Sequence, residues 1–311
     1  MLNTSAYVAD SPIAPPPLTD VDCPYAPQSG LHLYHFAMSL CSQKVRQVLE
    51  EAQVPWKSHH ILLSAYEQYD PDYVRINERC VVPTLVRDGK VTTDSENTLR
   101  YVARNLSGSA PLIPPDEAEA ATMRALLDQA DALFVEALTY GELPGIKKPL
   151  LIRKMGRGSH EYKVRLLTDL AQRYAGDPYL KASYEGKLHI VESTLEALHS
   201  QAQLRGIMAD TREALARVQL QLESGPFAQG GWLCSESFSL ADIEWGIVLY
   251  RFDWLGLGDY LWGDKPEVAR YASQLFARPS FQSGVIDWTH KVRQILLPTV
   301  AKKVRRRFRR G

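Results

Sequence analysis

The chain has 311 residues, 45% of them apolar, which is enough to bury a sizeable core and, at usual domain sizes, to form two domains. Basic and acidic side chains balance at 36 each, but the last ten residues, KKVRRRFRRG, hold seven of the positive charges. The composition excludes a disordered chain, and no run approaches the ~18 apolar residues of a membrane-spanning helix.

The four cysteines are widely spaced. Cys23, Cys41, Cys80 and Cys234 include no C-x-x-C pair, which argues against a disulfide framework and against a zinc site. The N-terminus has neither the basic start nor the apolar stretch of a secretory signal. We therefore expect a reducing, cytoplasmic location.

Residues 1–28 are rich in proline and poor in large apolar side chains. Such a segment cannot bury enough surface to offset the entropy lost on ordering. We predict a disordered, Pro-rich arm.

Residues 29–107 show strand and helix patterns in the order β-α-β-β-β-α. The runs LHLYHFA (31–37) and WKSHHILL (56–63) are typical of strands, with a helical pattern between them. VVPTLVRDGKVTTD (81–94) contains two strands joined at Asp88-Gly89, and the helix that follows is capped by Asp94 or Ser95. The first two strands should be parallel and the hairpin antiparallel, which predicts a mixed, thioredoxin-like α+β domain.

Strand patterns nearly vanish after the linker GSAPLIPPD (108–116). The ranges with helical spacing are 117–140, 161–204, 207–224 and 239–256, and SLAD (239–242) is a capping box that opens an apolar helix. We predict an all-α domain at 117–290, followed by a basic C-terminal tail at 291–311.

The first predicted helix begins with three small polar residues in MSLCSQKVR (38–46). Unpaired N–H groups and the positive end of the helix dipole favour an anion there, so a thiol at Cys41 is favoured as thiolate. Ser39 can donate its hydroxyl to a sulfur anion, either that of Cys41 or that of a bound thiol. The alternative is that Ser39 and Ser42 only cap the helix and Cys41 is a small buried apolar residue.

Two further segments, each at the start of a predicted strand or helix, are expected to form a groove together with the start of the first helix. A cis Val82-Pro83 bond would turn the backbone of Val82 toward a cleft where an extended peptide can pair; otherwise Pro83 is an ordinary edge proline. Asp94-Ser95 starts a helix and offers a carboxylate site, or a plain N-cap. Together with Ser39 and Cys41, these residues describe a groove for a short, anionic, thiol-bearing peptide.

Several stretches resemble the glutathione S-transferase superfamily: LYHFAMSLCSQKVR, VVPTL, DSENTLRYV and FSLADIEW, in this order over roughly residues 30–290. S-x-C-S-x-K-x-R, DPDYVRINE before VVPTLV, and LYRFDWLG followed by LFARPS resemble the bacterial hydroquinone reductive dehalogenases of that superfamily. The resemblance implies the glutathione S-transferase fold and glutathione as co-substrate.

The resemblance also implies residue roles by position. Ser39 would stabilise the glutathione thiolate, and Cys41 would be the redox cysteine. Val82, followed by Pro83, would pair its backbone with the cysteinyl part of glutathione. Asp94 and Ser95 would hold the γ-glutamyl end, and Arg79 is the candidate for the glycyl carboxylate. The predicted walls of an apolar substrate pocket are Phe36, Met38, Tyr140 and Trp254, with ordinary core packing as the alternative for each.

The implied activity is thiolate displacement of a leaving group from an aromatic electrophile, with reductive dehalogenation of a halogenated hydroquinone as the main hypothesis. Glutathione-dependent cleavage of lignin-derived β-aryl ethers needs no different groove. A thiol-disulfide or dehydroascorbate-type reductase would need no aromatic substrate. The alternative from another class is a non-catalytic membrane-surface adaptor, suggested by the S-x-x-S-Q-K-V-R stretch of the ganglioside-induced differentiation-associated proteins.

The remaining segments suggest partners. The basic stretch 145–165 is either a solvated loop or a guide for anionic ligands. The tail is either a solubilising extension or a weak contact with a membrane surface, and we expect no nucleic acid. Histidine spacing and the absence of a phosphate-binding glycine loop predict neither metal nor nucleotide. The family expectation is a homodimer or a heterodimer with a related subunit.

Overall fold

A computed structural model describes residues 21–106, 111–143, 146, 148, 152 and 157–290. The described residues form two compact units, the first containing 21–106 together with 277–290, and the second containing those from 111 to 276. Residues 1–20 of the predicted arm, the tail 291–311 and much of the basic stretch lie outside the described residues.

The first unit contains a mixed sheet. Its strands are β1 (Val21–Asp22), β2 (Leu31–His35), β3 (Lys57–His60), β4 (Thr84–Arg87) and β5 (Lys90–Thr93), in the spatial order β1-β5-β4-β2-β3. The pairing of β2 is parallel with β3 and antiparallel with β4, which confirms the predicted arrangement. The hairpin between β4 and β5 turns at Asp88 and Gly89 with φ of 51° and 82°, a conformation that glycine adopts without strain.

Three α-helices lie within residues 21–106 of the first unit: α1 (Leu40–Glu51), α2 (Pro71–Val74) and α3 (Ser95–Asn105). The N-cap of α1 is Ser39 and the N-cap of α3 is Asp94, the first of the two predicted candidates. The fully buried residues of this core include Leu33, Val45, Val48, Leu85 and Leu99. Burial of each such side chain contributes roughly 1.5–3 kcal/mol, so the core holds both helix starts against the sheet.

Residues 21–28 differ from the predicted disordered arm. Val21 pairs with Val91 across the antiparallel β1–β5 ladder, and the Cys23 N–H donates to Gly89 O at 2.9 Å. Ala26 is buried in a cluster with Val86 and Val91. Composition missed this segment because backbone pairing to a sheet edge does not require large apolar side chains.

Every regular element described in the second unit is helical, which confirms the all-α prediction for those residues. The helices are α4 (Glu117–Asp131), α5 (Val135–Tyr140), α6 (Arg157–Arg173), α7 (Pro178–His199), α8 (Gln201–Ser224), α9 (Leu240–Trp254), α10 (Gly258–Trp262) and α11 (Pro266–Phe276). The predicted helix 161–204 is interrupted, because Pro178 starts a new helix and Asp177 Oδ1 accepts the N–H of Leu180 at 3.1 Å. No helix among the described residues is long and apolar enough to cross a bilayer.

The predicted capping box at the start of α9 is confirmed. Asp242 Oδ2 accepts from both the N–H and the hydroxyl of Ser239 at 2.8 Å, while Oδ1 accepts from Leu233 N–H at 3.0 Å and from the Tyr271 hydroxyl at 2.7 Å. Ser239 also accepts from the N–H of Asp242, which closes the box. The Asp242 side chain is fully buried, and burial raises its pKa.

Residues 277–290 belong to the first unit, whereas the sequence analysis grouped them with the helical domain. They form α12 (Pro279–Phe281), a π-helical turn (Gln282–Ile286) and α13 (Asp287–His290). Their hydrogen bonds reach α1 across more than 200 residues of chain, as from Arg46 to Gly284. Local sequence patterns carry no signal for such a contact.

Candidate active site

The start of α1 presents Ser39 and Cys41. The Ser39 hydroxyl oxygen accepts the N–H of Ser42 at 3.3 Å, and the Ser39 N–H donates to Phe36 O at 3.1 Å. Among the described residues the hydroxyl hydrogen of Ser39 has no acceptor. Cys41 is the second residue of α1, so its half-buried thiol lies in the first turn, where the helix N–H groups favour an anion.

The turn before Ser39 is held from several sides. Phe36 N–H donates to Ser42 Oγ at 3.3 Å, and Ala37 N–H donates to His60 Nε2 at 3.1 Å. Burial, helped by the charge of Arg46, lowers the pKa of His60 to about 4. His60 is therefore a neutral acceptor at neutral pH, and the turn has a defined backbone.

The bond between Val82 and Pro83 is cis, which decides between the two alternatives given for Pro83 in favour of the first. The N–H and C=O of Val82 have no hydrogen-bond partner among the described residues. The preceding carbonyl, Val81 O, accepts from the Tyr73 hydroxyl at 2.5 Å and from Asn77 Nδ2 at 3.1 Å. The loop is thus fixed on one side of Val82, while the backbone of Val82 itself is available for pairing.

The sequence analysis did not single out Tyr73 and Asn77. Each also lies 2.8 Å from Thr84 Oγ1, which completes a buried network at the start of β4. Burial raises the pKa of Tyr73, so its hydroxyl stays protonated and can donate. Both residues lie in DPDYVRINE, a stretch used only for the resemblance.

Val82 lies in the same apolar cluster as the two wall residues predicted from the first unit. Phe36, Tyr73 and Val82 form its buried part, and Met38 packs against it. Phe36 is almost fully buried, whereas Met38 is half-buried. The cluster therefore brings the turn before Ser39 next to the Val82 backbone, with Met38 as the partly exposed wall residue.

Sheet register places Asp94 at the same end of the sheet. Tyr34 pairs with Thr84, and Thr84 pairs with Thr93, so β2 ends, β4 begins and β5 ends side by side. Pro83 precedes this row and Asp94 follows it. The three element starts predicted to form a groove thus share one edge of the first unit.

The start of α3 is built on a local carboxylate cap. Asp94 Oδ1 accepts the N–H groups of Glu96 at 3.0 Å and Asn97 at 3.3 Å, and Asp94 Oδ2 lies 3.5 Å from Arg79 Nη1. The Ser95 hydroxyl has no hydrogen-bond partner among the described residues. Arg79, predicted for the glycyl carboxylate, is therefore placed beside Asp94.

The two wall residues predicted from the second unit lie among charged groups. Tyr140 ends α5, and its ring centre is 5.4 Å from that of His160, whose Nε2 lies 3.5 Å from Glu136 Oε1. Burial and the carboxylate of Glu136 raise the pKa of Tyr140. Trp254 ends α9, with the Arg251 guanidinium 5.8 Å from the ring centre.

The described part of the basic stretch departs from a solvated loop. Lys148 and His160 are both buried. Lys148 Nζ donates to Thr139 O at 3.2 Å and also to Gly141 O, where it caps the end of α5. Burial lowers the pKa of Lys148 to about 8. At these positions the stretch therefore supports the end of α5 beside Tyr140.

Comparison with known proteins shows which proteins this chain is similar to. The family described as "Glutathione S-transferase, N-terminal domain" matches residues 38–105. The 2,5-dichlorohydroquinone reductive dechlorinase of Sphingobium indicum is 32% identical over 290 residues, covering 82% of this chain and 82% of that protein. The tetrachloro-p-hydroquinone reductive dehalogenase of Sphingobium chlorophenolicum is 28% identical, covering 81% of this chain and 94% of that protein.

A solved structure shows the same fold. The beta-etherase LigF from Sphingobium sp. superposes with a TM-score of 0.60 at 23% identity, covering 82% of this chain and 98% of that one. At this identity the likeness concerns the fold alone.

Proposed function

Because the chain belongs to the glutathione S-transferase superfamily, we propose that it is a glutathione-dependent enzyme whose main reaction is reductive dehalogenation of a halogenated hydroquinone. The observation that carries the proposal is the start of α1, where Ser39 retains a hydroxyl hydrogen to donate and Cys41 follows in the same turn. The two relatives named for chlorinated hydroquinones supply the substrate class.

Glutathione would lie extended along the edge where the three element starts meet. The unpaired N–H and C=O of Val82 support pairing with the cysteinyl backbone. Asp94 would take the α-ammonium of the γ-glutamyl end, and Ser95 its α-carboxylate. Because Arg79 already pairs with Asp94, we place its charge at this end rather than at the glycyl carboxylate.

The first step is displacement at the ring. The Ser39 hydroxyl and the start of α1 favour the glutathione thiolate, which attacks the halogen-bearing carbon. A carbon–sulfur bond forms, and the halide leaves with the carbon–halogen electron pair. The product is a glutathionyl aromatic conjugate.

The second step is the reduction, in which the Cys41 thiolate is the nucleophile. The Cys41 thiolate attacks the sulfur of the conjugate, the carbon–sulfur bond breaks, and its electron pair remains on the ring carbon, which takes a proton from water. This step leaves a mixed disulfide between Cys41 and glutathione. A second glutathione thiolate releases Cys41 and forms glutathione disulfide, so two glutathione molecules supply the two electrons.

Charged groups of the second unit support a hydroxylated aromatic substrate. Arg251 lies over Trp254, which places a cation against one of the two wall residues predicted from the second unit. Cations beside aromatic side chains favour an electron-rich ring bearing an ionised hydroxyl. A hydroquinone has both properties.

Product analysis tests the proposal. Purified wild type, Cys41→Ala and the control Cys23→Ala are each incubated with glutathione and 2,5-dichlorohydroquinone, and in parallel with a model β-aryl ether, and the products are identified by mass spectrometry. We expect chloride loss with glutathione disulfide in wild type and Cys23→Ala, and accumulation of the glutathionyl conjugate in Cys41→Ala. Cys23 packs with Val86 and Val91, outside the site.

Each alternative predicts a different product pattern. Release of aryloxide from the ether, with the chlorinated compound untouched, would replace the dehalogenase by an etherase. Reduction of mixed disulfides without turnover of either aromatic compound would indicate a thiol-disulfide reductase. Co-sedimentation with anionic vesicles, together with no binding of glutathione, would indicate the adaptor.

We further propose that the chain acts in the cytoplasm as a dimer, either with itself or with a related subunit. Light scattering of the purified chain during size-exclusion chromatography tests the self-association. A mass of one chain over the whole accessible concentration range would contradict the homodimer.

A further inference from the structure

Arg46 is a fully buried guanidinium whose hydrogen bonds go to main-chain carbonyl oxygens and one imidazole. Nε donates to Gly284 O at 2.7 Å, Nη2 to Ala37 O at 2.8 Å and Nη1 to Phe36 O at 3.2 Å, with His35 Nδ1 3.1 Å from Nη1. Burial lowers the pKa of Arg46 to about 9. Because a buried cation is costly, these contacts indicate a task that an apolar side chain could not perform.

Two of the three carbonyls that accept from Arg46 belong to the turn that precedes Ser39. Phe36 O accepts from Arg46 and also from the N–H of Ser39, so a single oxygen atom separates the guanidinium from the Ser39 backbone. Ala37 is held through its carbonyl by Arg46 and through its N–H by His60. The guanidinium therefore fixes the backbone of the turn that precedes Ser39, and with it the position of the Ser39 hydroxyl.

The third carbonyl comes from the other end of the chain. Gly284 lies in the π-helical turn Gln282–Ile286, and a Cβ at this position would lie 3.1 Å from Cα and N of Gln47. Glycine therefore lets the turn approach α1 without the shift of a few tenths of an ångström that a methyl group would require. Turns of this kind are frequent at functional sites.

Side-chain contacts anchor the segment 277–290 to α1. Arg278 forms a two-pronged ion pair with Glu51, with contacts of 2.5 and 2.8 Å. Ser283 Oγ donates to Glu50 at 2.8 Å, and the ring centre of Trp288 lies 5.3 Å from the Arg46 guanidinium carbon. The segment thus covers Arg46 and holds the carbonyl that it binds.

We propose that Arg46 is a positioning residue for Ser39 and that the segment 277–290 holds Arg46 in place. The inference deepens the proposed function and rests on it, because it concerns stabilisation of the glutathione thiolate by Ser39. A planar guanidinium presents its donors in a rigid fork and can bridge three carbonyls that lie apart, whereas the three donors of a lysine ammonium all radiate from one nitrogen atom. Small displacements of a catalytic group carry large rate penalties, so loosening this bridge should affect the thiolate first.

The test compares Gly284→Ala and Arg46→Lys with wild type and with the control Gly206→Ala. A Cβ on Gly206 meets nothing within 4 Å, so the control adds the same methyl group in open space. The thiol pKa of bound glutathione is measured by ultraviolet absorbance of the thiolate across pH, together with kcat, KM for glutathione and thermal unfolding. We expect both test variants to raise that thiol pKa by about one unit, a tenfold change in the ionisation equilibrium, with kcat reduced more than KM changes.

Other outcomes overturn the inference. If the two test variants unfold at lower temperature but keep the wild-type thiol pKa, the role of Arg46 is structural only. If Arg46→Lys matches wild type while Gly284→Ala does not, the guanidinium bridge is not required, and the effect of Gly284→Ala comes from the pressure of its methyl group on the backbone of α1. If wild type binds no glutathione thiolate, the proposed function fails and the inference falls with it, whereas a normal wild type with unchanged variants defeats the inference alone.

Discussion

Two helices, one in each unit, begin with the same dipeptide, in Ser39-Leu40-Cys41-Ser42 and in Ser239-Leu240-Ala241-Asp242. In the second start the box is closed, because Asp242 accepts from both the N–H and the hydroxyl of Ser239. In the first start Ser42 turns its hydroxyl to Phe36 N–H instead, and the Ser39 hydroxyl hydrogen has no acceptor among the described residues. The Ser239 hydroxyl is fully used by the fold, whereas the Ser39 hydroxyl keeps a hydrogen that it can donate.

The cysteines near the two starts differ in the same way. Cys234 is buried 3.2 Å from Ser239 Oγ, and burial raises its pKa to about 11, so it remains a thiol. Cys41 lies in the first turn of α1 and is half-buried. A serine cap therefore indicates a helix start, while the residue three positions later decides whether the cap is structural or available.

The largest effect on stability should come from removing the Asp242 carboxylate from the capping box of α9. Asp242→Ala leaves four buried donor groups without an acceptor, which should lower the free energy of unfolding by about 3–5 kcal/mol. Urea denaturation measures this loss, with the exposed Asp210→Ala as the control, expected to stay within about 0.5 kcal/mol of wild type. A loss as small as that of the control would show that Asp242 does not hold this helix start.

The next effect should separate the two serines. Ser39→Ala should lower kcat/KM roughly 100-fold, the cost of one lost donor to a developing anion, and lower the unfolding free energy by about 1 kcal/mol or less. Ser239→Ala should do the opposite, with a stability loss of about 1–2 kcal/mol and unchanged kcat/KM. Steady-state kinetics and urea denaturation on both variants check this reversal, and Ser39→Thr, which keeps a hydroxyl, should recover part of the activity. Equal effects of Ser39→Ala and Ser239→Ala would remove the distinction between the two starts.

A smaller effect, a dependence of the unfolding free energy on pH, should arise at the start of α1, because neutral imidazoles lie at the turn before it. Burial, then the charges of Arg46, His60 and His59, lowers the pKa of His35 to about 2, whereas in the unfolded chain it is near 6.5. As pH falls from about 6.5 to about 4.5, only the unfolded state binds this proton, so the unfolding free energy should fall by about 1.4 kcal/mol per pH unit. His60 should add less, since it is more exposed and better screened.

Urea denaturation across this pH range measures the slope. His35→Gln should flatten it by about one proton, and the control His189→Gln, on an exposed position of α7, should leave it unchanged. An unchanged slope in His35→Gln would show that His35 is protonated in the folded state. That result would also contradict a neutral His35 imidazole beside the Arg46 guanidinium.

The sequence predicted what local chemistry determines. Asp94 as a cap, the Asp88-Gly89 turn and the SLAD box each depend on residues within a few positions of one another, and each is confirmed. The cis bond at Val82-Pro83 is the first of the two alternatives that the sequence leaves open for this proline.

Long-range contacts could not be predicted in this way. In the sequence, nothing distinguishes Arg46 from the other polar residues of α1. Its partner Gly284 is 238 residues away, in a turn whose geometry no local pattern encodes. Lys148 and His160 looked solvated because charge runs usually are, and only packing shows them buried at the end of α5. The roles assigned to Ser39, Cys41 and Arg79 remain predictions that the experiments above address.

The two-residue strand at Val21–Asp22 has a consequence for solution behaviour. It covers β5, which would otherwise end the sheet with an exposed row of N–H and C=O groups. Such an edge recruits strands from neighbouring molecules and seeds aggregation. Residues 21–28 thus protect the sheet edge from pairing with other molecules, and a chain lacking them should lose solubility before it loses catalysis.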